Sequence, residues 1–184
     1  MLRDRLHATF RAASLAEAAA FVPRVAGVAA ADVDLRPPGL VHVSVPHDDV
    51  AAAQVVTALA EEDGLVSEPF VATVTEVALD AMDIAAVRPF WRAVLGYVDD
   101  GDDALADPHR VGPLLWFQQM DEPRSERNRF HLDVTVPHDV AEERIDAALA
   151  AGGTLLTDRW AKAFWVLADP EGNEACVCTW QDRG

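Results

Sequence analysis

Three sets of residues in the second half of the chain have types and spacings that could do chemistry. Glu76, Ala78 and Asp80 alternate with Val77 and Leu79, and His131, Asp133 and Thr135 alternate with Leu132, Val134 and Val136. Period-two alternation puts each polar trio on one face of a β-strand and the apolar residues on the other, under helices. Carboxylates and an imidazole are poor core residues unless paired or wet, so these faces line solvent or a pocket. The third set is Cys176 and Cys178 in the apolar run ACVCTW. On a strand they share a face with Cα atoms about 7 Å apart, too far for an easy disulfide. Buried thiols and a reduced compartment are the expectation. The chemistry these sets offer is proton transfer. His131 is the natural general acid–base, because an unperturbed imidazole titrates near neutrality, with Glu76 or Asp133 as orienting partner. Facing carboxylates favour a cationic or hydroxyl-rich small-molecule ligand over an anionic one.

Other chemistries find no support. The sequence has no Gly-x-Gly-x-x-Gly, P-loop, His-Glu-x-x-His or Gly-x-Ser-x-Gly motif. The serines Ser14, Ser44, Ser67 and Ser125 have no neighbouring base. The spacing of the acidic stretch DDGDDALADP does not supply the glycine and terminal glutamate of a calcium-binding EF-hand loop where that loop needs them.

The elements that must position these residues form an internal repeat. VTEVALDAMDIAAVRPFWRAVLGY and RFHLDVTVPHDVAEERIDAALAAGG each read as strand, acidic turn and amphipathic helix, closed by Gly96 or by Gly152 and Gly153. Each copy continues into the same tetrapeptide, Leu105-Ala106-Asp107-Pro108 and Leu167-Ala168-Asp169-Pro170, and an apolar closing strand, LLWFQQM or ACVCTW. Two strand–helix–strand–strand–strand copies imply two curved sheets related by a pseudo-twofold, with a cleft between them as the natural ligand site. Trp116, Trp160 and Trp165 are candidates for its walls, although large aromatics in a small domain more often pack the core.

The chain before this repeat differs in composition. All five tryptophans and the single tyrosine lie beyond residue 70, and EEDGLVSEPF reads as a boundary, giving domains 1–69 and 70–184. In the first domain Leu6, Phe10, Ala13, Ala18, Phe21 and Val25 recur at helical intervals, with a break or kink expected at Pro23. DVDLRPPGLVHVSV then gives a strand, a turn and a second strand, followed by a helix from about Val50 to Glu62.

EVALDAMDIAAVRPFWRAVLGY, HLDVTVPHD and VLADPEGNEACVC carry a resemblance, over residues 71–184, to the vicinal-oxygen-chelate superfamily in its glyoxalase-like and bleomycin-resistance-like branch. The resemblance implies an α+β fold of paired βαβββ modules. It also implies a divalent-metal site with ligands on the first and last strands of each module. Carried over by position, the first-strand places are Glu76 and His131. The closing-strand places fall on Cys176 and near Trp116, with Gln118 two further along. Glu, His and Cys without a second carboxylate do not complete such a site, so the expectation is no metal cofactor, with a divalent ion as the less favoured alternative. DVDLRPPGLVHVSVPHDD, preceded by an apolar helix, is similar to pterin-4a-carbinolamine dehydratases, making the first domain a small α+β dehydratase-like unit. Where active members carry His-His-Pro this chain has Ala29-Ala30-Ala31, and of the family's histidines only His47 remains, so that chemistry should be lost.

The leading expectation is a small-molecule-binding protein or metal-independent enzyme. Its cleft is lined by Glu76, Asp80, Trp116, Gln118, His131, Asp133, Trp165 and Cys176. The alternatives are a metal-dependent lyase, isomerase or dioxygenase using Glu76, His131 and Cys176, and a non-enzymatic sensor or dimerisation module. Homodimerisation is common in both resembled families and is an expectation only. With 31 acidic residues against 15 basic ones, the chain carries a net charge of -16. That charge repels phosphate backbones and anionic lipid, so no nucleic-acid or membrane partner is expected. Asp4, Arg11 and Glu17 interrupt what would be the apolar middle of a secretory signal. A cytoplasmic location follows, and arginine in place of lysine everywhere but Lys162 suggests a GC-rich bacterial source.

Overall fold

Leu6, Ala8 and Phe10 alternate with Arg5, His7, Thr9 and Arg11, and the computed structural model forms a strand there, β1 (Arg5–Arg11). This corrects the helical reading of Leu6 and Phe10. Their four-residue spacing suits a helix, but it also keeps both on one face of a strand. The helix α1 (Leu15–Ala26) starts only after Ser14, whose hydroxyl accepts from the Glu17 amide at 3.2 Å. The Glu17 carboxylate in turn accepts from the Ala13 amide at 3.1 Å, so the pair closes the helix start from both sides. Pro23 does not end α1, which runs on to Ala26.

The structure describes residues 5–69, 74–124, 126 and 128–182. They form two units, Met1–Val74 and Thr75–Gly184. The expected boundary at residues 69 and 70 adjoins positions 70–73, outside the described residues.

The first unit adds β2 (Asp32–Arg36), β3 (Leu40–Pro46), α2 (Val50–Glu62) and β4 (Val66–Ser67). All pairings are antiparallel and the strand order is β2-β3-β1-β4. Phe10, Phe21, Val25, Val41, Val43 and Val56 form its core. The other face of β1 and β3 is polar. There His42 Nε2 lies 3.0 Å from His7 Nδ1, and its Nδ1 lies 3.1 Å from the Thr9 hydroxyl. Burial holds the His42 pKa below its usual value, against a smaller upward pull from Asp34. The unfolded chain, titrating near about 6.5, therefore takes up this proton first as pH falls. His42 thus contributes stability that is complete above that pH and is lost as pH falls through it toward the folded-state value. Urea midpoints of the first unit, followed by backbone amide exchange, should drop between about pH 7.5 and 5.5. His42→Gln should flatten that dependence.

The second unit contains the repeat twice. The first copy is β5 (Glu76–Ala81), α3 (Ile84–Leu95), β6 (Val98–Asp100), β7 (Ala104–Ala106) and β8 (Leu114–Gln119). The second is β9 (Leu132–Thr135), α4 (Ala141–Ala150), β10 (Thr154–Thr157), β11 (Phe164–Ala168) and β12 (Glu174–Cys178). Their sheets have equivalent orders, β5-β8-β7-β6 and β9-β12-β11-β10. In each the first strand is parallel to the last and the remaining pairs are antiparallel. Gly96, at φ 71°, ends α3, and Gly152, at φ 95°, follows α4. Both hold the left-handed geometry that a side chain would strain.

The repeated Leu-Ala-Asp-Pro does the same work in both copies. Leu105 and Leu167 are fully buried. Asp107 accepts from the amides of His109, Val111 and Gly112, and Asp169 from those of Glu171 and Asn173. Burial pushes the Asp107 carboxyl up, but the three amides outweigh it and hold the carboxyl below its usual value. α3 and α4 share one core built on Val87, Phe90, Trp91, Val94, Ile145 and Ala148. The Glu171 carboxylate also accepts from the amides of Met82 (2.9 Å) and Asp83 (2.6 Å), tying the second module's hairpin to the start of α3. Among the described residues no helix is long and apolar enough to cross a membrane.

Candidate functional site

The alternation in β5 and β9 resolves as two faces. Glu76, Ala78 and Asp80 are exposed, while Val77 and Leu79 pack against the core. His131, Asp133 and Thr135 are exposed, while Leu132 and Val134 pack inward. On the exposed face His131 Nε2 stands 3.3 Å from Asp133 Oδ1.

Pairing between β9 and β12 then decides what joins them. The parallel register sets Cys176 beside Asp133 and Cys178 beside Thr135. The ligand-capable atoms of His131, Asp133 and Cys176 all lie within 4.8 Å of one another, the one such trio among the described residues. Burial first, and then a hydrogen bond to Asp133 and the charge of that carboxylate, together push the Cys176 thiol up to about 12. A thiol held protonated in this way is a poor nucleophile.

Two cavities meet at His131. The larger, about 930 Å³, lies beside β5, the start of β9, the hairpin at Glu171–Glu174 and the segment before β9. Asp80, Glu126, Glu171 and Glu174 bring carboxylates to it, Arg124 and Arg129 bring guanidinium groups, and Phe130 an exposed ring. The smaller, about 530 Å³, lies over Asp133, Cys176 and Cys178 and is walled by Arg159, Trp160 and Phe164. The Trp160 and Phe164 rings are stacked with centroids 6.3 Å apart, and the Arg159 guanidinium sits 5.1 Å from the Trp160 ring centroid. His131 is the single residue common to both cavities.

The remaining candidates are placed differently. Trp116 and Gln118 share the β5 face, beside Ala78 and Asp80, but line neither cavity. Glu76 also lines neither and lies outside the trio. Trp165 pairs with Val177 and packs against the helix-side core, on the face opposite Cys176. Phe164 faces the cavity in its place. Sequence reading missed Arg124, Arg129 and Phe130. Their one signal was the density of arginine just ahead of the predicted strand.

A divalent metal shared between the modules, as the sequence resemblance implies, does not fit these residues. Its four places fall on Glu76, Trp116, His131 and Cys176, and an indole offers only an N–H donor. Glu76 is not brought to the other two. Neither cavity gathers the cross-module set.

Solved structures similar to this chain cover somewhat more than half of it. A glyoxalase/bleomycin resistance protein/dioxygenase family enzyme from Burkholderia phytofirmans PsJN is 20% identical, with a TM-score of 0.48, covering 59% of this chain and 98% of its own. The fosfomycin resistance protein FosX from Listeria monocytogenes, in a mutant complexed with Mn(II) and 1S,2S-dihydroxypropylphosphonic acid, is 11% identical, with a TM-score of 0.47, covering 59% of this chain and 90% of its own. A glyoxalase-related enzyme from Fulvimarina pelagi is 18% identical, with a TM-score of 0.45, covering 58% of this chain and 87% of its own. No curated protein matches the sequence. No comparison supports the dehydratase resemblance of the first unit, which lies ahead of the family match. The model of the glyoxalase-like domain matches residues 76–178, both βαβββ copies from the first residue of β5 to the last of β12 and more than half of the sequence, and the chain belongs to that family.

Proposed function

We propose that the second unit binds a hydroxyl-rich small molecule at the junction of the two cavities, and that the chemistry available there is proton transfer at His131. The observation that carries this reading is the position of His131, which alone opens on both cavities with Asp133 3.3 Å away to orient it. Asp80, Glu126 and Glu174 offer acceptors, and Arg124 and Arg129 offer donors. The arginines temper the purely acidic pocket expected from the sequence. A ligand carrying several hydroxyls, which donate and accept, suits such a lining better than a simple cation. A set of hydroxylated compounds screened by thermal unfolding should stabilise the intact chain. Asp80→Ala and His131→Ala should each weaken a hit by about tenfold or more, roughly 1.4 kcal/mol. Both residues are exposed, so neither change should unfold the protein. Hits bound equally well by both variants would refute the proposal.

A second reading, metal-dependent chemistry of the lyase, isomerase or dioxygenase kind, is favoured by one observation, the trio of His131, Asp133 and Cys176. In the first unit, Ala29, Ala30 and Ala31 cannot transfer protons. A role in assembly or sensing is what the proposal leaves to it.

A further inference from the structure

We infer that His131, Asp133 and Cys176 form a metal site of zinc type contained within the second module, in place of a site shared between modules. The backbone builds it. His131 and Asp133 stand two apart on one face of the β9 edge, and the parallel register brings Cys176 of β12 directly beside Asp133. Zinc bonds of about 2.3 Å to sulfur and about 2.0–2.2 Å to nitrogen and oxygen place tetrahedral donors roughly 3.3–3.7 Å apart. The contact between His131 and Asp133 is already 3.3 Å, and all three donors fall within 4.8 Å. Cys176 is fixed by burial, whereas His131 and Asp133 are exposed and free to close the remaining distance by rotation.

Without metal the Cys176 thiol is held beside the Asp133 carboxylate. Binding exchanges that thiol proton, released to solvent, for the cation, and the same three groups become thiolate, carboxylate and imidazole ligands. A thiolate with an imidazole selects a borderline or soft ion, zinc or cobalt, over magnesium or calcium. Three protein ligands would leave a fourth position to solvent or substrate, and the cavity walled by Trp160 and Phe164 is lined by the same three residues. That is the open arrangement of a catalytic zinc site. The inference goes beyond the proposed ligand binding, because it requires the metal alone. With the ion bound His131 is a ligand to it, so the proton transfer proposed for His131 belongs to the metal-free chain.

The test uses the full chain, stripped with a chelator and titrated with Co(II) in the absence of air. The expected result is a thiolate-to-cobalt absorption band in the near ultraviolet that saturates at one ion per chain and is bleached by Zn(II). Cys176→Ser should abolish the band, and Cys178→Ser should leave it. Asp133→Asn, at an exposed position that folding does not depend on, should weaken cobalt binding by at least the roughly 10–100-fold that loss of an outer-shell partner costs. Absence of the band in the wild-type chain would overturn the inference. So would a band that survives Cys176→Ser, or affinity unchanged in Asp133→Asn. Any of those results leaves the binding of hydroxylated compounds to be judged separately, by running that screen on the chelator-stripped chain.

Discussion

Asp169→Ala is expected to destabilise the second unit by about 3–5 kcal/mol, because it strands several donors at about 1–3 kcal/mol each. Asp169 is 3% exposed and its carboxylate accepts four hydrogen bonds. Two come from the amides of Glu171 and Asn173, one from the Asn173 side chain at 2.8 Å and one from the Trp91 indole at 2.8 Å. Trp91 lies on α3 in the first module and Asp169 follows β11 in the second, so this carboxylate joins the two copies. Alanine leaves a buried indole N–H without an acceptor and releases the hairpin that holds Glu171 against α3. Every tryptophan of the chain lies in the second unit, so tryptophan fluorescence during urea unfolding reads that unit alone. Asp169→Asn keeps one oxygen for the two amides but turns a donor toward others, and should lose less than alanine. A loss below about 1 kcal/mol in the alanine variant would contradict the role given to this residue.

Phe90→Ala should cost a similar amount, about 3–5 kcal/mol, by the cavity it leaves. Phe90 is fully buried and meets the Trp91 ring edge-on, with centroids 5.5 Å apart. Its other side lies against Gly153, where a Cβ would stand 2.4 Å from the ring and 2.8 Å from the Ala148 carbonyl. A glycine backed by that carbonyl has no side chain with which to refill the space, so the site cannot collapse cheaply. Gly153→Ala should itself destabilise, by forcing the ring to move. Both changes lower the urea midpoint seen by tryptophan fluorescence, with the slope of the transition unchanged.

The sequence carried the second unit well because its signals were repeated. The same strand–helix order, the same Leu-Ala-Asp-Pro and the same helix-ending glycines occur twice, so each copy supports the other. Residues 5–11 had no second copy. A spacing of four between Leu6 and Phe10 satisfies helix and strand alike, and the start signal of Ser14 and Glu17 decided where the helix begins. Within the site, alternation fixed which face each residue of β5 and β9 takes, because period two is local information. It could not fix neighbours across strands. That Cys176 stands beside Asp133, and that Phe164 rather than Trp165 faces the cavity, follow from pairings that join residues far apart in the chain. The arginines of the larger cavity come from an irregular segment before β9, where no periodicity exists to read.

Ligand binding is proposed at His131, and the histidine rings give the most direct measurement of it. The chain has six histidines, of which His7, His42 and His47 lie in the first unit and His109, His131 and His138 in the second. With carbon-13 in the imidazole rings, each gives its own correlation signal in a two-dimensional NMR spectrum, and His131→Ala assigns the decisive one. Titrating hydroxylated compounds into metal-free protein should move the His131 signal first and furthest, leaving those of His7 and His42 in place. Compounds that bind while the His131 signal stays fixed, or that move the first-unit histidines instead, would contradict the account.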